Sequence, residues 1–541
     1  MVVAYSQRPG DGLILLSTFS HTKHHETPMK ILYVNWAPLW LGADVGGGVN
    51  VYAQHMAVVL AARGHTLYSV SAGYAYNFAG GAYLKRGPDY QGVINYEIIN
   101  APNVCPGYLS HPTPLAELDE PIVEAIFAKL LTELRPDVVH FNNIEGFSAR
   151  CVSLAKQAGA RVIYSLHNYH PVCNQVYLLH RDQTICEDFQ AGARCVDCLH
   201  PPAKAKERFK RQLGYHLHLY PEGHLFWGPI HFLQNTVKTV LLWAKLARSL
   251  VGVWRERRRL RPQAATALPA VPTATVSAIP DSALLSPPTP AQQTAGQLYA
   301  TRRAGMVAAI NQADVVLAVS SWVATVYAQM GVETRKLRTL HIGNAIAAVG
   351  RQRPPAPRPS ATGERPLQLI YLGLASQPKG FPFFLQSLQQ LSDAELQRVH
   401  LHIYARGAPQ FHALIDGLSA RLAGLNVHDG YRHQTLPQLL RDMDIGVVPP
   451  IWWDNAPQVV FEMLALGVPV IGARIGGIPD FVHHDKNGLL FSPGNSAELL
   501  TQLRRVIAEP ALSARLRAGI TPMKTLAEHA DELEILYRSG A

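Results

Sequence analysis

The chain has no run of eighteen uncharged apolar residues, so nothing in it reads as a membrane span. Its start lacks the basic stretch of a secretory leader, and the apolar run at residues 12–17 is too short to cross a bilayer. The first 28 residues are expected to be an irregular extension, with Met29 the domain start and the expected start of translation. Cysteine is sparse, six in 541 residues, and without a leader the expected location is cytoplasmic, where disulfides are disfavoured. No nucleic-acid-binding motif accompanies the net charge of +10. That charge is local: between Pro201 and Pro262 thirteen Lys or Arg stand against three Asp or Glu, which accounts for the whole excess. A basic balance confined to one segment argues for a local anionic partner and against nucleic acid as the partner of the whole protein.

What is present is length and pattern. With 541 residues, 48% of them hydrophobic, two or more domains are expected. Strand-like apolar runs alternate with helical patterns twice over. In the first half Lys30–Asn35 reads as a buried strand, Gly46-Gly-Gly48 turns it into a helix over Asn50–Ala62, and Arg63-Gly64-His65 ends that helix. Strands follow from Thr66 and at Asp137–Phe141, Arg161–Leu166 and Asp314–Val319. In the second half they are Leu367–Leu372, Val399–Tyr404, Ile445–Pro449 and Val468–Ile471. This is α/β alternation, giving two doubly wound Rossmann-like domains. The expected divisions are a first domain over 29–345, a linker over 346–366 that is Pro-rich from Arg351, a second domain over 367–520 and a last helix within 521–541.

An insertion at 200–305 interrupts the first domain. Helical mapping from Gly228 to Arg255 puts Phe232, Val240, Trp243, Leu250 and Trp254 on one face, with Gln234, Lys238, Lys245 and Ser249 opposite. Two readings stay open: a helix packed on the first domain, or a basic amphipathic helix over 228–261 lying on an anionic membrane surface with Arg255–Arg261 on headgroups. Residues 262–297, rich in Ala, Pro, Thr and Ser, are expected to be a disordered loop.

The most specific pattern is Asp454-Asn-Ala-Pro-Gln-Val-Val-Phe-Glu462, followed by Leu466-Gly-Val-Pro-Val-Ile471 and Gly476-Gly477. One carboxylate can take sugar hydroxyls and the other ribose hydroxyls, while Asn455, Ala456, Pro457 and Gln458 offer backbone groups at a helix start. The glycine pair lets backbone come close to a ligand. This stretch resembles the acid-x7-Glu donor signature of the family 4 retaining glycosyltransferases, and the resemblance runs from about Met29 to the end of the chain, broken by the insertion. It departs at Asp454, where the family usually has the longer Glu. The resemblance implies the GT-B fold, two domains facing across a cleft with a C-terminal helix crossing back to the first. It also implies transfer of a sugar from a UDP-, GDP- or ADP-sugar to a glycan, lipid-linked or small-molecule acceptor, with retention and without a catalytic metal or other cofactor.

Gly46, Gly47 and Gly48 lie between a strand and a helix, where backbone N–H groups can meet a phosphate, though tight packing alone would also explain them. By resemblance this loop faces the donor diphosphate. Lys379, in Gly373-Leu-Ala-Ser-Gln-Pro-Lys-Gly380, follows the first strand of the second domain, where an ammonium can neutralise the departing diphosphate. Relatives commonly carry Arg five residues earlier, where this chain has Leu374, and Arg406 after the next strand is the candidate substitute. His167 matches the family's histidine near the donor sugar, with His170 competing for the role. No further carboxylate is placed as an obvious nucleophile, which suits the front-face displacement the resemblance implies. The expected catalytic set is His167, Lys379, Asp454 and Glu462.

Cys173, Cys186, Cys195 and Cys198 are candidate ligands of a structural zinc, since Cys195-Val-Asp-Cys198 has knuckle spacing. An iron–sulfur cluster and free or redox-active thiols are the alternatives. Two rivals to the transferase reading remain: a GT-B nucleotide-sugar epimerase, and a non-catalytic sugar-binding or membrane scaffold. A location peripheral on the inner membrane face follows if the basic insertion docks there.

Overall fold

The computed structural model describes residues 27–106, 114–181, 184–198, 204–215, 289–352, 365–509 and 511–539. The expected helix over 228–261 and residues 1–26 of the extension lie outside these. The first sheet contains β1 (Lys30–Asn35), β2 (Thr66–Ala72), β3 (Tyr83–Arg86), β4 (Val93–Ile99), β5 (Val138–Phe141) and β6 (Arg161–Leu166). Past a small hairpin, β7 (Leu179–His180) with β8 (Thr184–Ile185), it is completed by β9 (Val315–Ala318) and β10 (Leu337–Thr339). The spatial order is β10-β9-β6-β5-β1-β2-β4-β3, parallel throughout except for β3 against β4.

The second sheet contains β11 (Leu367–Leu374), β12 (Val399–Arg406), β13 (Gly424–His428), β14 (Ile445–Val448), β15 (Val470–Ala473) and β16 (Gly488–Phe491). Its order is β13-β12-β11-β14-β15-β16, all parallel. A sheet with helices on both faces needs apolar side chains on both, and β11 supplies them alternately: Leu369 and Tyr371 enter one core, Ile370 and Leu372 the other. Each order reverses beside its first strand, between β1 and β5 and between β11 and β14. A doubly wound sheet opens a crevice for ligands at such a point, beyond the C-terminal strand ends.

The last helix, Leu526–Arg538, belongs to the second half of the chain but packs into the core of the first domain through Leu526, Ala530, Leu533 and Tyr537. A Thr525/Glu528 capping box starts it. Tyr537 is 3% exposed; its hydroxyl lies 2.6 Å from His140 Nδ1 and 3.2 Å from the Tyr33 hydroxyl. The chain behind His140 continues to Ser165 Oγ at 2.7 Å.

Two expected boundaries are corrected. The stretch expected to be disordered to residue 297 is helical from Pro290, in a helix Pro290–Ile310. Thr289 caps it, with Pro290 in the first turn and Gln292 completing a capping box, a local signal that the Ala/Pro/Thr composition obscured. This helix also carries the fully buried Arg302, whose Nε donates to Glu117 at 2.5 Å and whose Nη1 donates to the Pro171 carbonyl at 3.0 Å. The expected linker begins inside a helix, Ala345–Gln352. Among the described residues no helix is long and apolar enough to cross a membrane.

Replacing Tyr537 with Ala should destabilise the first domain by about 3–5 kcal/mol, the cost of a large core cavity, whereas Tyr537→Phe should cost about 1 kcal/mol for the lost hydrogen bonds. Denaturant unfolding of the two variants measures the difference.

Candidate active site

The loop from Pro449 to Pro457 leaves β14 at the second domain's crevice and is held by close backbone approaches. A Cβ at Gly380, which adopts φ +69°, would collide with the Pro449 carbonyl oxygen, and Ile451 N–H donates to the Pro378 carbonyl at 3.0 Å. The Lys379 turn and the acid-bearing loop are thereby stapled together. Gly476 and Gly477 lie against the backbone of Asp454 and Asn455, and Gly477 N–H donates to the Asp454 carbonyl at 2.8 Å. The glycine pair expected to admit a ligand instead admits this loop, because backbone at that separation leaves no room for a side chain.

The staple brings Lys379 and Asp454 together, Nζ to Oδ2 at 2.5 Å, with the ammonium 5.0 Å from the Trp452 ring centroid. Asp454 is buried, whereas the Lys379 side chain is 34% exposed. Glu462, in the helix Gln458–Ala465, is also buried; it accepts from the Tyr431 hydroxyl at 3.0 Å and pairs with His433 Nε2 at 2.8 Å. The two acids therefore occupy separate places with separate partners. Gly373, with φ +127°, sits at the end of β11, and Leu374 beside it registers with Arg406 on β12. Arg406 is exposed at this same edge.

The first domain meets this loop directly. Gln458 Nε2 donates to the Gly48 carbonyl at 2.8 Å, and Asn455 Nδ2 donates to the His167 carbonyl at 2.7 Å. Three helices begin around these contacts, Gly47–Ala62, Phe381–Leu388 and Gln458–Ala465, and none has a side-chain cap at its N-terminus. Gly46, Gly380 and Pro457 are their N-cap residues, and Ala456 precedes the last. Uncapped N-termini leave N–H donors and a positive dipole end for an anion.

Burial, helped by the charge of His529, pulls the His167 imidazole down to about 3, so it is neutral at physiological pH. Its ring lies 4.7 Å from that of Tyr52. His170 is engaged elsewhere, between Glu117 at 3.3 Å and Arg302 at 3.2 Å. Among the described residues, both amide atoms of Asn142, His167 Nε2, His170 Nδ1, Trp452 Nε1 and Asn455 Oδ1 are buried without a hydrogen-bond partner. Buried polar atoms are ordinarily satisfied, so such a group around the interdomain contacts marks where a polar ligand would be received.

Cys173, Cys186, Cys195 and Cys198 line one cavity of about 20 Å³, but among the described residues no three metal-ligating side chains form a set that could hold an ion. The expected zinc is thus unsupported. The thiols have other engagements: Cys186 donates to the Asp188 carbonyl, Cys198 to Gln175, and Cys195 accepts from Arg303. Burial, with the neighbouring cysteines adding to it, pushes Cys186 up to about 12 and Cys195 up to about 11, so both are protonated thiols at physiological pH.

Sequence reasoning missed Tyr431, His433 and Trp452 around the acids, because none lies in a motif of its own. Burial opposes protonation of His433, but the hydrogen bond and charge of Glu462 outweigh it, and the pKa is raised above the ordinary 6.5. His433 also helps depress His55 of the Gly47–Ala62 helix to about 4, after burial. A raised pKa in the folded state contributes stability that is complete below the unfolded value and is lost as pH rises through the folded one. His433→Gln should therefore lower Tm most below about pH 6.5 and progressively less at alkaline pH, as melting curves across that range would record.

Residues 47–218 match the model of the glycosyl transferase 4-like domain, and residues 366–509 that of glycosyl transferases group 1, together more than half the chain. A sulfoquinovosyl transferase of Arabidopsis thaliana is 29% identical over 147 residues, covering 27% of this chain and 27% of that protein. A 2-deoxystreptamine glucosyltransferase of Streptomyces kanamyceticus is 28% identical over 151 residues, covering 28% of this chain and 38% of the relative. The chain thus spans well under half the length of these curated relatives. The solved sucrose-phosphate synthase from Thermosynechococcus elongatus aligns with 95% of this chain and 98% of its own at TM-score 0.53 and 15% identity, a likeness of fold. With both models matched in the order of the two sheets, and the sheets' crevices facing one another, the chain belongs to the group 1, family 4-like glycosyl transferases and has the GT-B fold.

Proposed function

We propose that the protein transfers a sugar from a UDP-, GDP- or ADP-sugar to a glycan, lipid-linked or small-molecule acceptor, with retention and without a metal or other cofactor. The observation that carries this reading is the convergence of Lys379, Asp454, Glu462 and three uncapped helix starts on the contact between the two crevices. In this reading the second domain binds the nucleotide sugar and the first receives the acceptor. The donor diphosphate takes the Lys379 ammonium and the N–H groups beyond Gly46 and Pro457. Arg406, registered with Leu374, supplies the second cation that Leu374 cannot. Glu462 exchanges Tyr431 and His433 for the ribose hydroxyls, and Asp454 and neutral His167 hold the sugar.

In this reading displacement is on the same face, with Asp454 engaged by the sugar and Glu462 by the ribose, so that neither acid serves as a nucleophile. The acceptor oxygen then forms its bond to the anomeric carbon as the bond to the diphosphate breaks, and the acceptor proton passes to the departing phosphate oxygen. Lys379 stabilises the charge on that oxygen in place of a metal ion. A lipid-linked acceptor would go with a cytoplasmic protein peripheral on the inner membrane face, held there by the basic segment 201–262.

A panel of nucleotide sugars, with anomeric configuration read by NMR, tests the reading. Glu462→Gln and Lys379→Ala should each lower kcat/KM by about 30-fold, or about 2 kcal/mol, and Arg406→Ala by about tenfold. Chelator should leave the rate unchanged. Full activity of the Glu462 and Lys379 variants would refute the assignment, inverted product would refute retention, and donor epimerisation without transfer would favour an epimerase.

A further inference from the structure

The last helix reaches the site through His529. This residue is fully buried, and its Nε2 lies 2.7 Å from the hydroxyl of Tyr52, a buried residue of the helix Gly47–Ala62. The tyrosine ring packs in turn on the His167 imidazole, with centroids 4.7 Å apart and planes tilted by 52°. On the other side of His529, the Glu532 carboxylate lies 3.5 Å from Nδ1. A carboxylate there favours the imidazole proton on Nδ1, which leaves Nε2 to accept from the Tyr52 hydroxyl. Burial, reinforced by Tyr33 and Glu532, holds that phenol well above the ordinary tyrosine range, so it keeps the proton it donates.

His167 has little else to orient its ring. Its Nε2 is without a hydrogen-bond partner among the described residues, and the contact with Asn455 is made by its backbone carbonyl. Rotation of an imidazole about its Cβ–Cγ bond is broad and soft, so its tilt is set by whatever packs on its face. Here that neighbour is Tyr52, itself fixed at the hydroxyl end. The hydroxyl bond is not needed to dock the two helices. Arg63 Nη1 donates to Asp531 at 2.7 Å, Arg63 Nη2 donates to the Ala527 carbonyl at 2.8 Å, and His65 pairs with Glu534 at 3.1 Å, all at the far end of Gly47–Ala62. His529 also stands where the chain passes between domains: a Cβ at Gly343 would meet the Thr525 carbonyl oxygen and His529 Cβ, and Asn344 N–H donates to the Lys524 carbonyl at 3.0 Å.

We propose that His529 and Tyr52 are positioning residues for the transfer: His529 holds the Tyr52 hydroxyl, and the Tyr52 ring sets the tilt at which His167 presents Nε2 to the donor sugar. This rests on the reading of His167 as a group that holds the sugar, and adds what orients it.

The full chain is tested by two readouts. In NMR of histidine-labelled protein without ligand, Tyr52→Phe should shift the His167 ring resonances, assigned from their loss in His167→Ala, while lowering Tm by about 4 °C or less. In turnover of UDP-glucose, GDP-mannose or ADP-glucose, followed as release of the nucleoside diphosphate, Tyr52→Phe and His529→Leu should each lower kcat about tenfold with KM little changed. His529→Gln, which can place an acceptor near the position of Nε2, should recover most of that loss. In a His167→Ala background Tyr52→Phe should cost less than about twofold more, because a residue that acts only through His167 has nothing left to act on. Unshifted His167 resonances in Tyr52→Phe overturn the proposal, as does an equal loss of kcat from Tyr52→Phe with and without His167, the mark of a merely structural role. A slow His167→Ala beside a Tyr52→Phe of wild-type rate overturns this inference alone, whereas wild-type turnover by His167→Ala removes the histidine's role and this inference with it.

Discussion

Backbone-to-backbone approach at the acid-bearing loop is the constraint on which the rest of the site depends. Gly380 meets the Pro449 carbonyl, and Gly476 and Gly477 meet the backbone of Asp454 and Asn455. A side chain at any of the three would displace the loop and, with it, Asp454 from Lys379. The same loop reaches the first domain through Asn455 and His167, and the helix after it through Gln458 and Gly48. Three small residues in one domain thus decide where that domain meets the other.

The electrostatic character of the site follows from that arrangement. Lys379 has a carboxylate partner already, so an incoming diphosphate competes with Asp454 for it instead of meeting a bare ammonium. Glu462 is likewise satisfied by groups that a pair of hydroxyls could replace. Such paired charges are stable while buried and exchangeable when a ligand offers equivalent contacts. The unpartnered atoms of Asn142, His167, Trp452 and Asn455 are the complement, groups with nothing yet to exchange.

The first domain is tied together by buried polar groups drawn from distant parts of the chain. Arg302, Glu117 and His170 form one set, and Tyr537, His140, Tyr33 and Ser165 another. Both sets pin late segments, the end of the insertion and the last helix, onto the early sheet.

Much of the fold and part of the candidate site were legible in the sequence because their signals are local. Buried parallel strands read as continuous apolar runs, and β1, β6, β11 and β14 begin where those runs begin. The acid pair, the Lys379 turn and the Gly46–Gly48 run are each contiguous, so their spacing alone set them beside strand ends and helix starts. The helix from Pro290 has a local signal too, in Thr289 and Gln292, but the Ala/Pro/Thr-rich composition around it reads as disorder and hid it. Tertiary structure alone decided that Gly476 and Gly477 admit a loop, that Tyr431 and His433 face Glu462, that Arg406 stands beside Leu374, and that the four cysteines meet without forming a metal-ligand set. Each depends on which distant segments the sheets bring together, and side-chain period and spacing within one segment carry no record of that pairing.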